Sequence, residues 1–279
     1  MDKPAGWTSH DVVAVVRRQL GTREVGHAGT LDPFATGLLV VLVGRATRLS
    51  RFVEAMPKQY RAVVRFGRVT DTHDPTGVVT AEQLPEHWPE RADLAELLSR
   101  FLGKQEQRPP AYSAKHVNCT RAHTLARRGE VLDLPEVPVE IHRLEIMDWS
   151  PPDLTLDATV GRGTYLRALA RDLGATAGIP AHCAALRRTA IGPFTADDAV
   201  APLDAGAERL QLPAAMVPML VSETVNPEGA RELGFGRRVA QQRAHEGNGS
   251  LLAGDGRLLA IAEGRGGWWH PVVVLEPAS

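Results

Sequence analysis

The apolar residues of this chain change period several times, and each change marks an element. Val12, Val13, Val16 and Leu20 recur at helical spacing while Arg17 and Arg18 point elsewhere, which predicts an amphipathic helix over residues 8–21. Thr8 can cap its start, Asp11 follows in capping-box register, and Gly21 suits its end. The unbroken run Leu38-Leu39-Val40-Val41-Leu42-Val43 reads as a buried strand. From Tyr60 to Gly67 the period shortens to two. Tyr60, Ala62, Val64 and Phe66 share one strand face, and Arg61, Val63 and Arg65 share the other. Residues 71–77 are rich in turn formers. Leu94, Leu97, Leu98 and Phe101 predict a second helix over 93–102, closed by Gly103. Residues 139–146 and 154–160 are predicted to pair across Ser150-Pro151-Pro152-Asp153, and residues 164–173 to form a helix with Gly174 after it.

Strands and helices mixed with hairpin-like links argue for an α+β fold, not a doubly wound parallel sheet. Residues 108–138 carry few long periodic elements, with prolines at both ends and basic residues between, which suits an extended surface loop that binds something. Residues 202–218 have little strand signal and lead out of the first domain, taken as 1–213. The texture changes near Val221. Leu251 to Ala262 carries a hairpin signal around Asp255-Gly256, and Trp268 to Leu275 supplies another strand, so 221–279 reads as a small β-rich domain.

Composition narrows the function classes. With 279 residues, 43% of them hydrophobic, the chain can bury a full core. No apolar stretch approaches the ~20 residues of a membrane span, and no signal-peptide pattern opens the chain. Cys119 and Cys183 lie far apart, which argues against a disulfide framework or a cysteine metal site and fits a reducing cytoplasm. The net charge of −1 excludes a globally basic nucleic-acid binder. The distribution is uneven, however. Ten Arg or Lys fall between Arg17 and Arg68 against Glu24, Asp32 and Glu54, and Lys115, Arg121, Arg127 and Arg128 follow with no acid among them. Such clusters fit a phosphate backbone, and equally fit solvated helix and strand faces.

Candidate chemistry centres on Asp32. It is the lone acid in residues 26–39, GHAGTLDPFATGLL, a stretch punctuated by Gly26, Gly29, Pro33 and Gly37 and anchored to the apolar run that follows. A carboxylate offered this way suits a nucleophile or general base, or else a solvated turn. The glycines make no phosphate cradle, because neither nucleotide-binding spacing is present. No His/Cys ligand spacing and no G-x-S-x-G elbow occur, so no metal and no serine hydrolase is expected.

The same stretch resembles the catalytic motif of the pseudouridine synthases, specifically the tRNA pseudouridine synthase B (TruB) family. Four further stretches resemble that family in the same order: Asp2-Lys3-Pro4-Ala5-Gly6-Trp7-Thr8-Ser9, Lys58-Gln59-Tyr60-Arg61, Gly161-Arg162-Gly163-Thr164-Tyr165-Leu166-Arg167, and Leu186-Arg187-Arg188. The resemblance covers roughly the first 210 residues. It implies a pseudouridine synthase fold, a mixed, largely antiparallel sheet with flanking helices, followed by a PUA-like RNA-binding module. It further implies a cytoplasmic, monomeric, cofactor-free pseudouridine-55 synthase that takes the T-arm stem-loop of tRNA, with no membrane and no obligate protein partner.

The implied roles fall on matching positions. Asp32 starts the reaction, by attack on sugar or base or by stabilising a glycal route. An ionised carboxylate held from bulk water needs a cation nearby, and Arg167 is the candidate. Tyr60 is implied to stack on the target base and to move a proton at the sugar; otherwise it is a strand tyrosine packed with Ala62 and Val64. Tyr165 and Leu186 are implied to line the uracil pocket, and by pattern alone are core residues. His27 is implied to fill the space that the flipped base leaves, where a lone histidine is otherwise a hydrogen-bonded structural residue. Residues 108–138 correspond to an RNA-gripping insertion, with Lys115, Arg121, Arg127 and Arg128 as phosphate contacts.

Two departures stand out. Family members usually carry an apolar strand before the Asp-Lys-Pro motif, whereas Met1 directly precedes Asp2, which predicts a missing edge strand. Cys119 stands where glycine is frequent, and His123 where tyrosine is. The competing readings are an RNA-binding or tRNA-folding module that has lost catalysis, a guide-RNA-dependent relative, and a synthase acting on ribosomal RNA. Joint retention of Asp32, Tyr60 and Arg167 speaks against the first, since a binder needs none of them.

Overall fold

The alternating segment around Tyr60 becomes the middle of the main sheet. The computed structural model describes residues 1–111, 116–117, 120–121 and 134–277, with the backbone alone at 116–117 and 120–121. In chain order it runs β1 (Asp2–Lys3), α1 (Ser9–Leu20), β2 (Val25–Ala28), β3 (Thr36–Leu38), β4 (Val40–Val43), α2 (Ser50–Ala55) and β5 (Lys58–Phe66). Then come β6 (Arg68–Thr70), β7 (Val79–Glu82), α3 (Arg91–Ser99), β8 (Gly103–Gln107), β9 (His116–Val117) and β10 (Thr120–Arg121). A long hairpin of β11 (Val137–Ser150) and β12 (Asp153–Val160) leads to α4 (Leu166–Ala177), β13 (Ala181–Ile191) and β14 (Phe194–Thr195).

The main sheet is eight-stranded, ordered β1-β3-β13-β5-β12-β11-β8 with β14 on β13. All its pairings are antiparallel apart from β13 with β3, so the sheet is mixed and largely antiparallel, as expected. One face carries Tyr60, Ala62, Val64, Phe66, Leu154, Leu156 and Ala158, and packs against Leu94, Leu97 and Leu98 of α3 and Leu166, Leu169 and Leu173 of α4. The other face is charged. Arg61 sits opposite Asp157 and Arg65 opposite Asp153, each in a two-point ion pair across the strands. Arg68 pairs with Glu82. Three of the ten basic residues between Arg17 and Arg68 are therefore matched by acids from later in the chain, a pairing that sequence proximity conceals.

Helix α1 forms as its pattern predicts. Thr8 accepts from the Asp11 backbone, Asp11 answers at the Thr8 backbone, and Gly21 closes the helix in the left-handed region. Three expectations need correction. The apolar run 38–43 is split at Leu39, because β3 pairs with β1 and β13 while β4 pairs with β2. Helix α3 stops at Ser99, and Gly103 opens β8 instead of closing the helix. Helix α4 begins after Tyr165, which is extended, and continues past Gly174 to a Gly178 cap. Gly174 lies inside it because a Cβ there would stand 2.7 Å from that of Ala181, so helix and strand approach too closely for a side chain. At the sheet edge, Asp2–Lys3 of the Asp-Lys-Pro stretch itself pairs with β3.

Beyond Pro202 come short 3-10 turns, and then β15 (Val221–Thr224), α5 (Pro227–Gly234), β16 (Val239–Ala240), β17 (Gly247–Leu252), β18 (Leu258–Arg265) and β19 (Trp268–Val274). These strands make a five-stranded sheet, ordered β15-β17-β18-β19-β16. The β-rich reading of the C-terminal part is thus met, with one helix added. Leu258, Ile261 and Leu275 share an apolar cluster with Leu49 and Val217. Arg45 and Arg48 donate to the carbonyls of Leu275 and Val274 at 3.0 and 2.8 Å, so these two arginines serve the packing of the two sheets. No described helix is long and apolar enough to cross a membrane.

The tightest approach in the main sheet is at Gly37, which pairs with Arg188 and has φ +100°. A Cβ there would lie 2.2 Å from the Arg188 carbonyl oxygen. Gly37→Ala is expected to destabilise the fold by about 2 kcal/mol or more, because strain in φ and displacement of β13 add. Urea denaturation checks it, and an unchanged midpoint would refute the strain.

Candidate active site

The site begins with a carboxylate and a guanidinium separated by 135 residues. Arg167, in the first turn of α4, donates from Nε to Asp32 Oδ2 at 2.8 Å and from Nη2 to Asp32 Oδ1 at 3.1 Å. Its Nη1 donates to the Thr72 carbonyl at 2.8 Å and lies 3.5 Å from Asp74 Oδ2. The Arg167 and Asp74 side chains are 3% and 8% exposed, whereas Asp32 keeps 32%. The cation and its rear carboxylate are therefore sealed in, while the front carboxylate still faces a cleft. Two-point pairing also removes the rotational freedom that a lysine would leave.

A second buried guanidinium shapes the loop that offers Asp32. Arg188, 1% exposed on β13, donates to the carbonyls of Leu38 at 2.7 Å, Gly29 at 2.9 Å and Thr30 at 3.4 Å. From the other side, the Ser9 hydroxyl accepts from the Leu31 backbone at 3.0 Å, and Lys3 Nζ donates to Pro33 at 3.3 Å as well as to Pro4 and Trp7. Gly6 N donates to the Pro33 carbonyl at 2.8 Å. The Asp-Lys-Pro stretch and the Leu-Arg-Arg stretch are thus the two jaws that hold the Asp32 loop.

The cleft in front of Asp32 has a volume of about 690 Å³, which suits a nucleotide. His27, Tyr60, Tyr165, Leu186 and Arg167 all line it, so the structure gathers these predicted residues around Asp32. Tyr60 and Leu186 are 9% and 8% exposed on neighbouring strands. Tyr165 is fixed through its backbone, which accepts from and donates to the Gln107 amide at 3.2 and 2.9 Å. His27 sits in strand β2 instead of a loop, its ring 5.7 Å from that of His10. Burial, then His10 and Arg188, lower its pKa, so it is neutral at pH 7. Lys115, Arg127, Arg128, Cys119 and His123 lie outside the described residues, and Arg121 is described only as backbone. A larger cleft, about 810 Å³, is lined mainly by aliphatic residues such as Val16, Leu20, Val40 and Met216 and holds none of the predicted site residues whose side chains are described.

Similar proteins are known. Residues 17–166 match the family described as TruB family pseudouridylate synthase (N terminal domain), and 167–205 match the tRNA pseudouridylate synthase B C-terminal domain. The tRNA pseudouridine synthase B of Thermobifida fusca (strain YX) is 42% identical, over 98% of this chain and 96% of its own length. That of Deinococcus radiodurans is 41% identical, over 95% of each. The chain belongs to the TruB family of pseudouridylate synthases. It is an isomerase of that family, with the family's fold. Among solved structures, the archaeal box H/ACA sRNP Nop10-Cbf5 complex contains a chain with a TM-score of 0.72 and 22% identity, covering 99% of this chain and 85% of that one, which shows the shared fold.

Sequence reading missed Asp74 and the work of Arg188. Asp74 sits in the turn-rich 71–77 loop, where Oδ1 accepts from the Thr72 hydroxyl, the Thr76 hydroxyl and the Thr76 backbone at 2.7, 2.6 and 2.9 Å. Its local pattern signals an Asx turn, and nothing in that pattern signals Arg167. Next to it His73 has φ +58°. Burial, then Arg171 and Arg167, push its pKa down to about 4. The unfolded chain takes up this proton near pH 6.5 and the folded chain does not, so stability is complete above pH 6.5 and falls as the pH drops toward 4. His73→Asn, which tolerates the positive φ, is expected to remove on the order of 1–2 kcal/mol of that acid-induced loss after allowing for partial exposure. Urea midpoints at pH 7 and pH 4.5 measure it; an unchanged pH dependence would assign the acid sensitivity elsewhere.

Proposed function

We propose that this protein is a cofactor-free tRNA pseudouridine synthase that isomerises the T-arm uridine to pseudouridine, the pseudouridine-55 reaction, as a cytoplasmic monomer. The observation that carries the reading is the Asp32 carboxylate, fixed at two points by Arg167 and open on one side to a nucleotide-sized cleft. A base flipped from an RNA loop enters with its ring beside Tyr60, Tyr165 and Leu186 and its sugar over Asp32. Asp32 then acts at the sugar or base, the glycosidic bond breaks, and the turned uracil is rejoined through carbon. Tyr60 supplies a stacking face and a hydroxyl for proton movement at the sugar. A neutral His27 fills the vacated place in the RNA at no cost in charge burial. Residues 1–213 carry this chemistry, and 221–279 act as a PUA-like RNA-binding domain. The basic loop over 108–138 grips the T-arm. The names of the curated relatives support the tRNA substrate.

The test is tritium release from a T-arm stem-loop bearing 5-tritiated uridine, with no metal or nucleotide added. Wild type is expected to release tritium and Asp32→Asn to release none above background. Tyr60→Phe is expected to bind the RNA normally and to slow by ~10²-fold or more. Binding without release by the wild type would instead support a module that has lost catalysis.

A further inference from the structure

Among the described residues, four cationic side chains other than histidine line the Asp32 cleft: Lys58, Arg162, Arg167 and Arg188. Three of them are buried and engaged. Arg167 is held by Asp32 and Thr72, Arg188 by three loop carbonyls, and Lys58 by the carbonyls of Glu54 and Met56. Arg162 differs. It is exposed, and among the described residues its guanidinium has no hydrogen bond or ion pair. It is close enough to Lys58 to help lower that amine's pKa to about 8, after burial and Arg188, so positive charge is concentrated at this wall. Glu54, the other carboxylate that lines the cleft among the described residues, accepts from the Ser50 hydroxyl at 3.3 Å.

Two residues on, Thr164 lines the same wall, and its hydroxyl is buried without a partner. An unpaired buried hydroxyl costs on the order of 1–3 kcal/mol, which a ligand acceptor would relieve. The backbone presents the two side chains together. Gly161 is tied to the Glu140 carbonyl at 2.7 Å, Gly163 turns with φ +85°, and Gln107 fixes Tyr165. Helix α4 then starts with no side-chain cap, so its positive end adds to the field at this wall.

We propose that Arg162 and Thr164 grip one phosphodiester flanking the flipped uridine, Arg162 through its guanidinium fork and Thr164 through its hydroxyl. This rests on the reading of the cleft as the uridine site. A nucleotide whose sugar sits over Asp32 brings its flanking phosphates to the cleft wall, and a fork of N–H donors suits a phosphate at two points. The grip sets the position of the sugar relative to Asp32 and gives no base specificity.

The experiment measures Kd on an Asp32→Asn background for a T-arm stem-loop with normal linkages, and for stem-loops with a neutral methylphosphonate 5′ or 3′ of the target uridine. Arg162→Gln is expected to weaken binding of normal RNA about tenfold and to lower the salt slope by roughly one contact. One of the two methylphosphonates is expected to weaken binding similarly, and on that RNA Arg162→Gln is expected to add no further loss. Thr164→Val is expected to cost a few-fold on normal RNA and nothing on the same neutral linkage, while Arg162→Lys keeps most of the affinity. An Arg162→Gln penalty that persists on both neutral linkages, or no penalty at all in a protein with an unchanged melting temperature, overturns the proposal. Failure of the wild type to release tritium strikes the uridine reading alone, because the linkage comparison reads binding.

Discussion

The loop that carries Asp32 is held by two buried guanidinium groups, and most of the architecture around the cleft follows from keeping those two cations satisfied. Taking a guanidinium out of water costs several kcal/mol unless charge and hydrogen bonds replace the lost hydration. Arg167 meets that demand with Asp32, the Thr72 carbonyl and Asp74. Arg188 meets it with the carbonyls of Gly29, Thr30 and Leu38. Helix α4, strand β13, the Asp32 loop and the 71–77 turn are therefore mutually dependent, since none can shift without stranding a buried charge. This is the physical reason that the separate motifs occur together in one chain: each supplies one side of the same electrostatic arrangement.

The same two cations add to the effect of burial on the ionisable groups around them. Arg188 contributes to lowering the pKa values of His27 and Lys58, and Arg167 contributes to lowering that of His73, with burial the larger cause in each. Asp32 has its counter-charge behind it, in Arg167, and its free side faces the cleft. Such a fixed arrangement needs little reorganisation when charge develops on a ligand beside it, the property that makes preorganised sites effective.

Away from the cleft, the arginines divide by task. Arg61, Arg65 and Arg68 are neutralised across strands, and Arg45 and Arg48 hold the C-terminal sheet against the first through carbonyl contacts. A run of basic residues in sequence is thus mostly structural once folded. Arg162, exposed at the cleft wall, is a different case, because nothing described in the fold uses its charge.

Much of the fold was legible from local pattern. The α1 boundaries, the β5 alternation and the 150–153 hairpin follow from side-chain period and capping, which act over a few residues. Elements misread at their ends failed for tertiary reasons. Gly174 stays inside α4 because β13 presses against it, and the 38–43 run divides because its two halves pair with different partners. For the site, the sequence by itself offered candidates: a lone carboxylate on a glycine-marked loop, and a tyrosine and an arginine set apart only by stretches that resemble the family's motifs. Only the tertiary structure decided that Arg167 meets Asp32, that Asp74 backs the pair, and that Arg188 shapes the loop. Those contacts join segments up to 159 residues apart, and they exist because a buried charge must find its partner wherever the chain brings one.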